Sequence, residues 1–491
     1  MEQVSNKSCF LRMKESLAGN SKVLLIDKEG KYTANEVFEV YCGLLNQLRP
    51  IIKTGDVCLV APLVKKETII IMAAIISLGG VVLFGDLYIK PLDYLELLHG
   101  LTDVNHVFAF EDNKWLVKNG NSERELLFKR EILNCDVNLV ASKSLPSFYF
   151  LTSGSTDSRN LVALSEYSFI NHIVRELSDI GNEEKISYGC VPINHVLGTC
   201  IYLQHLLTGH TIYLSESRNA DLALDVIEKY HCTAIANVPT FFYMLIEKQK
   251  KHPRDINSLK YGIIAGGGYS KEQFLNIEKE LGISLCSSYG MTEASTVITN
   301  SPASRPVEER CTGVGKPFPG VEVVFKDDDG NIVHNKGEIC FKGYNLMLGY
   351  VEKGKLVLPV DNEGYFHTGD IGMKDDKGVY HIVGRKKNII IRGGENLSPY
   401  TIEKKILLID GIKDVVVVGI PNEKYGEVVA AYIASDVYKN TEEVEELLKK
   451  VLPKNEVPYI LIIDDNIPLL SNGKHDRMRI RNIFISKDAH K

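Results

Sequence analysis

The stretch Gly384-Arg-Lys-Lys-Asn-Ile-Ile-Ile-Arg-Gly-Gly-Glu-Asn396 decides how the chain is organised. It opens on glycine, arginine and two lysines, a segment too hydrophilic to bury inside a domain. Three isoleucines follow as a strand signal, then Gly393 and Gly394, where a backbone can approach a ligand closely. About four fifths of the chain precedes the stretch and about one fifth follows, which predicts a large domain, a short connector and a small domain. The expected boundaries are residues 1–384, a hinge at 385–388 and a mobile domain at 389–491. Turning about the hinge would then give two active-site arrangements.

Working outward toward the N-terminus, Val37, Val40, Tyr41, Leu44, Leu45 and Leu48 mark one face of a helix over residues 34–48. Short apolar runs at 57–60, 81–84, 107–110, 148–151, 186–191, 211–214, 233–238, 261–265 and 283–286 read as strands. Helix-like stretches such as 221–230 and 271–281 lie between them. Strands with so few polar residues, alternating with helices, predict parallel-type sheets covered on both faces, an α/β architecture for the first 300 residues. From residue 321 the pattern changes. Strand-like runs at 321–325, 337–341 and 379–383, the first and last bordered by Asp- and Gly-rich turns, predict a small antiparallel β subdomain; the triple Asp327–Asp329 is part of one of those turns rather than a calcium loop. Beyond the hinge, helices at 399–408 and 441–451 and strands at 415–420, 428–434 and 459–463 predict a small α+β domain.

The 491 residues carry a formal net charge of −6, from 57 basic and 63 acidic side chains. That balance argues against nucleic acid as a partner and against a polybasic membrane surface. Ten cysteines lie singly, without a Cys-x-x-Cys pair, as expected of thiols in a reducing compartment. The almost uncharged run at 68–85 is read as a buried helix followed by a buried strand, not a membrane span. The N-terminus lacks the apolar region of a signal peptide, so the expected location is cytoplasmic.

The chemistry sits in ordered motifs. Phe148-Tyr-Phe-Leu-Thr-Ser-Gly-Ser-Thr156 runs an apolar strand into a loop of hydroxyls and glycine suited to phosphate oxygens, although it is not a Walker loop. Ser288-Tyr-Gly-Met-Thr-Glu293 follows another strand. Gly364-Tyr-Phe-His-Thr-Gly-Asp370, Gly384-Arg385 and Pro468-Leu-Leu-Ser-Asn-Gly-Lys474 come later. With these five motifs in order, nearly the whole chain resembles the adenylate-forming superfamily of acyl-CoA synthetases, firefly luciferases and non-ribosomal adenylation domains. The resemblance implies an acyl-CoA synthetase-like fold.

The resemblance also implies roles. Thr152, Ser153, Gly154, Ser155 and Thr156 would hold the β- and γ-phosphates of ATP. Tyr289 would stack on adenine, with Ser288, Gly290 and Met291 beside it. Thr292 would bind the α-phosphate and Glu293 would ligate Mg²⁺, where a cation bridging phosphates needs few protein carboxylates. Asp370 would accept the ribose hydroxyls, supported by Arg385 from the hinge side. Lys474 would be the catalytic lysine, offsetting the repulsion between a carboxylate and ATP. His195, in Pro192-Ile-Asn-His195-Val-Leu-Gly198, would line the acyl pocket, and Gly267 and Gly268 in Ala265-Gly-Gly-Gly268 would form its wall. Gly337-Glu-Ile and Leu348-Gly-Tyr350 match a further family motif read as structural.

Gly393-Gly394-Glu395-Asn396 resembles aryl-CoA ligases such as the 4-chlorobenzoate and o-succinylbenzoate CoA ligases, which would put Gly393 and Gly394 at the pantetheine tunnel. Residues 190–200 hold no acidic side chain to pair with a substrate ammonium, which disfavours an α-amino acid. Several positions depart from the family pattern. The phosphate loop continues as Asp157-Ser158-Arg159-Asn160-Leu161 without its usual lysine, Lys387 stands for the usual hinge aspartate, and Thr401 stands for a common glutamate. The expected activity joins an aryl or medium-length acyl carboxylic acid to coenzyme A, through ATP, Mg²⁺ and an acyl-AMP. One alternative is a stand-alone enzyme loading the phosphopantetheine of an acyl or peptidyl carrier protein; another, of a different class, is a non-catalytic nucleotide-binding homologue.

Overall fold

The computed structural model describes residues 4–86, 91–120, 122–152, 160–176, 186–266, 268–470 and 475–488. Two nine-stranded sheets make up the large N-terminal part. In the first, six strands run parallel in the order Ser284–Tyr289, Tyr261–Ile264, Ala234–Asn237, Ile186–Gly189, Thr211–Leu214 and Val23–Ile26. In the second, Pro146–Thr152, Val81–Phe84, Val57–Val60 and His106–Glu111 are parallel. The apolar runs of the sequence therefore become the parallel centres of two sheets, as their lack of polar residues requires.

Between the sheets lies one large core, to which both contribute. The helix Lys66–Ser77 runs inside it, and every residue from Thr68 to Ser77 is buried. This is the uncharged run of the sequence, followed by the wholly buried strand Val81–Phe84. Among the described residues no helix is long and apolar enough to cross a membrane. A capping box at Thr33 and Glu36 starts the helix Ala34–Leu48, which packs on Lys66–Ser77.

Both sheets are mixed at their edges, which the sequence reading did not predict. His106–Glu111 turns back through Asp112 and Asn113, both at positive φ (47° and 61°), into Lys114–Asn119. This is the two-residue turn that matches strand twist. The charged strand Ser122–Glu125 then closes that edge, and its solvated side chains deter pairing with another chain.

The third sheet is antiparallel, in the order Ile332–Val333, Val321–Lys326, Lys336–Gly343, Phe366–Lys374, Tyr380–Arg385, matching the predicted β subdomain. Its Asp327 caps a hairpin by accepting from the amides of Asp329 and Asn331. After a single turn at Lys386–Asn388, a fourth sheet begins at Ile390–Arg392 and continues with Glu395–Leu397, Gly426–Ala434, Asp414–Asn422 and Ile460–Asp464. The helices Pro399–Ile406 and Thr441–Val451 pack on one face of it and Arg477–Asp488 on the other. This α+β unit has its own two core clusters, which meets the requirement for a separate C-terminal domain.

Candidate functional site

The carboxyl ends of two parallel strands of the first sheet, Tyr261–Ile264 and Ser284–Tyr289, face the antiparallel sheet and the C-terminal domain across a cavity of about 330 Å³. Carboxyl ends of parallel strands are where open α/β sheets bind ligands. Of the residues singled out in the sequence, Gly268, Ser288, Tyr289, Gly290, Asp370 and Arg385 line this cavity together, drawn from four separate motifs.

Asp370 is the centre of this group. It is buried, its Oδ2 accepts a 2.8 Å bond from the Tyr289 hydroxyl, and its Oδ1 accepts a 2.7 Å bond from Arg385 Nε. Asp370 and Arg385 are also direct partners across neighbouring strands. Burial works against the charge on Arg385, yet the adjacent Asp370 carboxylate outweighs it and holds the guanidinium pKa above its ordinary value. Burial, then Asp370, raise the Tyr289 phenol well above its usual range, so it remains a donor. An ionised carboxylate has about four lone-pair sites, so Asp370 keeps acceptor capacity toward the cavity.

Gly290 is a glycine by necessity, because a Cβ there would lie 1.7 Å from the Thr296 carbonyl oxygen. The loop that comes so close carries Thr292 and Glu293 in a single helical turn, Thr292–Ala294. Its backbone is gripped from several sides. Buried Asn345 donates to the carbonyls of Ala294 (3.1 Å) and Val297 (3.0 Å), and the Ser295 hydroxyl returns a bond to the Asn345 carbonyl. The amide of Val297 donates to His172 Nε2 at 3.0 Å, and burial pushes that imidazole down to about 3, so it is neutral and able to accept. Glu293 is itself buried, with a 2.9 Å bond from the Tyr350 hydroxyl on Oε1, and burial raises its carboxyl pKa. His172, Asn345 and Tyr350 had no identified role in the sequence reading. They act on motif residues from distant segments, and only Tyr350 fell inside a quoted motif.

Among the described residues, Thr152, His195, Gly393 and Gly394 are placed apart from the cavity lining. Thr152 ends its strand and pairs with Asn160 of the neighbouring strand. Ser153, Gly154, Ser155, Thr156, Asp157, Gly267 and Lys474 lie outside the described residues. His195 caps the N-terminal end of the helix Val196–Thr208 and is not among the cavity-lining residues. Gly393 and Gly394 form the exposed turn of the Ile390–Arg392 and Glu395–Leu397 hairpin, with φ of 58° and 87° and open space around Gly394. Their conformation alone calls for glycine.

The C-terminal domain reaches the cavity through Tyr400, Lys404 and Arg477. Arg477 Nη2 bonds both oxygens of buried Glu403, at 2.7 and 2.9 Å, and His475 Nε2 lies 2.7 Å from Asp414 Oδ2. The residues just after position 474 are thus fixed to the domain body. Among the described residues no group of three or more His, Cys, Asp or Glu side chains could hold a metal by itself.

Residues 18–351 match the AMP-binding enzyme family, and residues 401–474 match the AMP-binding enzyme C-terminal domain. The acyl-CoA ligase sidI of Aspergillus fumigatus is 33% identical over 357 residues, 68% of this chain and 60% of that protein. The 2-succinylbenzoate–CoA ligase of Staphylococcus epidermidis is 31% identical over 72% of this chain and 73% of that protein. The chain thus spans less than two thirds of the fungal ligase. Among solved structures, the o-succinylbenzoate CoA synthetase of Bacillus subtilis, in complex with its acyl-adenylate intermediate, aligns with a TM-score of 0.81 at 20% identity, covering 97% of this chain and 98% of that one. An anthranilate CoA ligase in complex with anthranoyl-AMP aligns with a TM-score of 0.85 at 16% identity, covering 99% of each.

Proposed function

This chain belongs to the AMP-binding enzyme family, and from that premise we propose that it activates a carboxylic acid with ATP and transfers the acyl group to coenzyme A. The observation that carries the reading is the Tyr289–Asp370–Arg385 cluster on the cavity wall, centred on the buried Asp370. A carboxylate that is neutralised on one side and still has lone pairs on the other suits a pair of ribose hydroxyls. The cavity beside it lies next to Gly268, whose missing side chain leaves room that Tyr400 otherwise crowds, 2.8 Å from a Cβ position.

In the first step an oxygen of the acid attacks the α-phosphorus of ATP. The bond from α-phosphorus to the bridging oxygen breaks, and pyrophosphate leaves with the electron pair. Thr292 and Lys474 would stabilise the charge that develops on the phosphoryl oxygens. Thr152 through Thr156, a run of hydroxyls around one glycine, would hold the β- and γ-phosphates. Glu293 fits a magnesium site, because it is a buried carboxylate whose charge a neighbouring cation would offset. Bound there, Mg²⁺ would neutralise phosphate charge. In the second step the thiol attacks the acyl carbonyl and AMP leaves with the carboxyl oxygen that had joined the two.

The connector at 385–388 would serve as the pivot between steps, with Lys387 absorbing part of the turn. The present arrangement, with Arg477 at the cavity and the Gly393–Gly394 turn in solvent, suits the first step. The substrate would be an aryl or medium-length acyl carboxylate, a reading supported by the absence of an acidic side chain at 190–200 and by the names of the relatives. His195 would border its acyl portion. Incubating acid and ATP with either CoA or a holo carrier protein tests the acceptor. Thioester on CoA is the expected product, and thioester on the carrier alone would overturn this reading.

A further inference from the structure

The motif Gly337-Glu338-Ile339 has no part in the chemistry above, yet its glutamate binds the backbone amide of Gly369, next to the residue at the centre of the site. The strands Lys336–Gly343 and Phe366–Lys374 pair regularly at both ends but not in the middle. Cys340 faces His367 and Glu338 faces Ile371, so Thr368, Gly369 and Asp370 stand opposite the single residue Ile339. This is a β-bulge, with Gly369 at a φ of 72°. Bulges re-aim side chains and leave backbone groups without ladder partners.

Here the freed groups are taken up one by one. The Thr368 hydroxyl donates to the Ile339 carbonyl at 2.7 Å and accepts from the Asp370 amide at 3.1 Å. The Gly369 amide donates to Glu338 Oε1 at 3.0 Å. Glu338 is buried, and its other oxygen lies 3.3 Å from His367 Nδ1 and 3.5 Å from Lys386 Nζ in the connector. One carboxylate therefore holds the amide preceding Asp370 and also reaches the residue following Arg385.

We propose that Glu338 is a positioning residue for nucleotide recognition: by binding the Gly369 amide it fixes the bulge that aims Asp370 at the ribose. The proposal rests on the reading of Asp370 as the ribose carboxylate. Glu338 touches no substrate and acts only through the bulge. Its required property is an acceptor oxygen at one place, which glutamine retains and alanine or the shorter aspartate does not.

The test is equilibrium binding of ATP and of 2′,3′-dideoxy-ATP, which lacks both ribose hydroxyls, to purified wild-type and variant chains. Wild type should favour ATP by at least about ten-fold, the scale expected when buried acceptors lose their donors. Glu338→Ala should reduce that preference to within about two-fold, and Glu338→Gln should keep most of it. General damage to the fold would weaken both nucleotides alike and leave the ratio intact. Should the alanine variant not fold, Glu338→Asp carries the same prediction of lost preference. An undiminished ratio in the alanine or aspartate variant would overturn the proposal, as would a glutamine variant that falls as far as alanine. A wild-type chain that binds ATP without any preference over the dideoxy analogue would remove Asp370 from the ribose, and the proposal with it.

Discussion

The Asp370 bulge and the Gly393–Gly394 turn lie on either side of the connector and contrast sharply. Around Asp370 a phenol, a guanidinium, a threonine hydroxyl and a glutamate fix a short piece of backbone and its carboxylate. Around Gly394 there is open solvent, and the conformation of the turn itself explains the glycines. The proposed nucleotide side is thus already organised in this arrangement, whereas the proposed role of the turn in thiol transfer would require the domain to move.

Lys474→Ala should produce the largest contrast between the two sides. Acid-dependent pyrophosphate exchange should fall at least about a thousand-fold, on the scale of a lost transition-state charge contact. Thioester formation from supplied acyl-adenylate should stay within about three-fold; loss of both reactions would merge the two regions into one site. Asp370→Ala should come next, raising KM for ATP about a hundred-fold through loss of the proposed ribose acceptor. An unchanged KM would detach the bulge from the nucleotide.

Gly394 gives a smaller and more discriminating effect. Asparagine tolerates positive φ where leucine does not. If the turn must leave room for a thiol, Gly394→Asn and Gly394→Leu should both slow the thioester step by about ten-fold or more and spare exchange. A normal thioester step in the asparagine variant would show that only backbone conformation matters.

The smallest effect at neutral pH belongs to His172, which braces the loop carrying Glu293. Its folded value lies near 3, below the ordinary 6.5, so the unfolded chain takes up the proton first. The stability this neutral imidazole contributes is present above about pH 6.5 and is lost as pH falls toward 3. His172→Gln should flatten that decline, a change of roughly a few kcal/mol across the window, measured by denaturant titration. An unaltered slope would assign the acid sensitivity to other groups.

Much of the frame was legible because burial dictates it. Runs such as Val57–Val60 and Val81–Phe84 have no polar side chain to satisfy, so they had to become internal strands. The switch to an antiparallel sheet after residue 320 followed from its turns. The charged edge strand Ser122–Glu125 lacked an apolar signal. The helix Arg477–Asp488 was also missed, since its cationic residues obscure the two buried anchors Ile480 and Phe484. Asp370 and Arg385 could be named from motifs, but Glu338 and Tyr350 read as structural because their partners depend on a bulge and on loop packing that no local spacing encodes.

The most direct measurement is exchange of labelled pyrophosphate into ATP by the wild-type chain, with CoA left out, across a panel of aryl and medium-length carboxylic acids. Exchange should depend on at least one of these acids and need no thiol. ATP binding accompanied by no exchange with any of them would contradict the proposed acid activation and leave a nucleotide-binding protein without this chemistry.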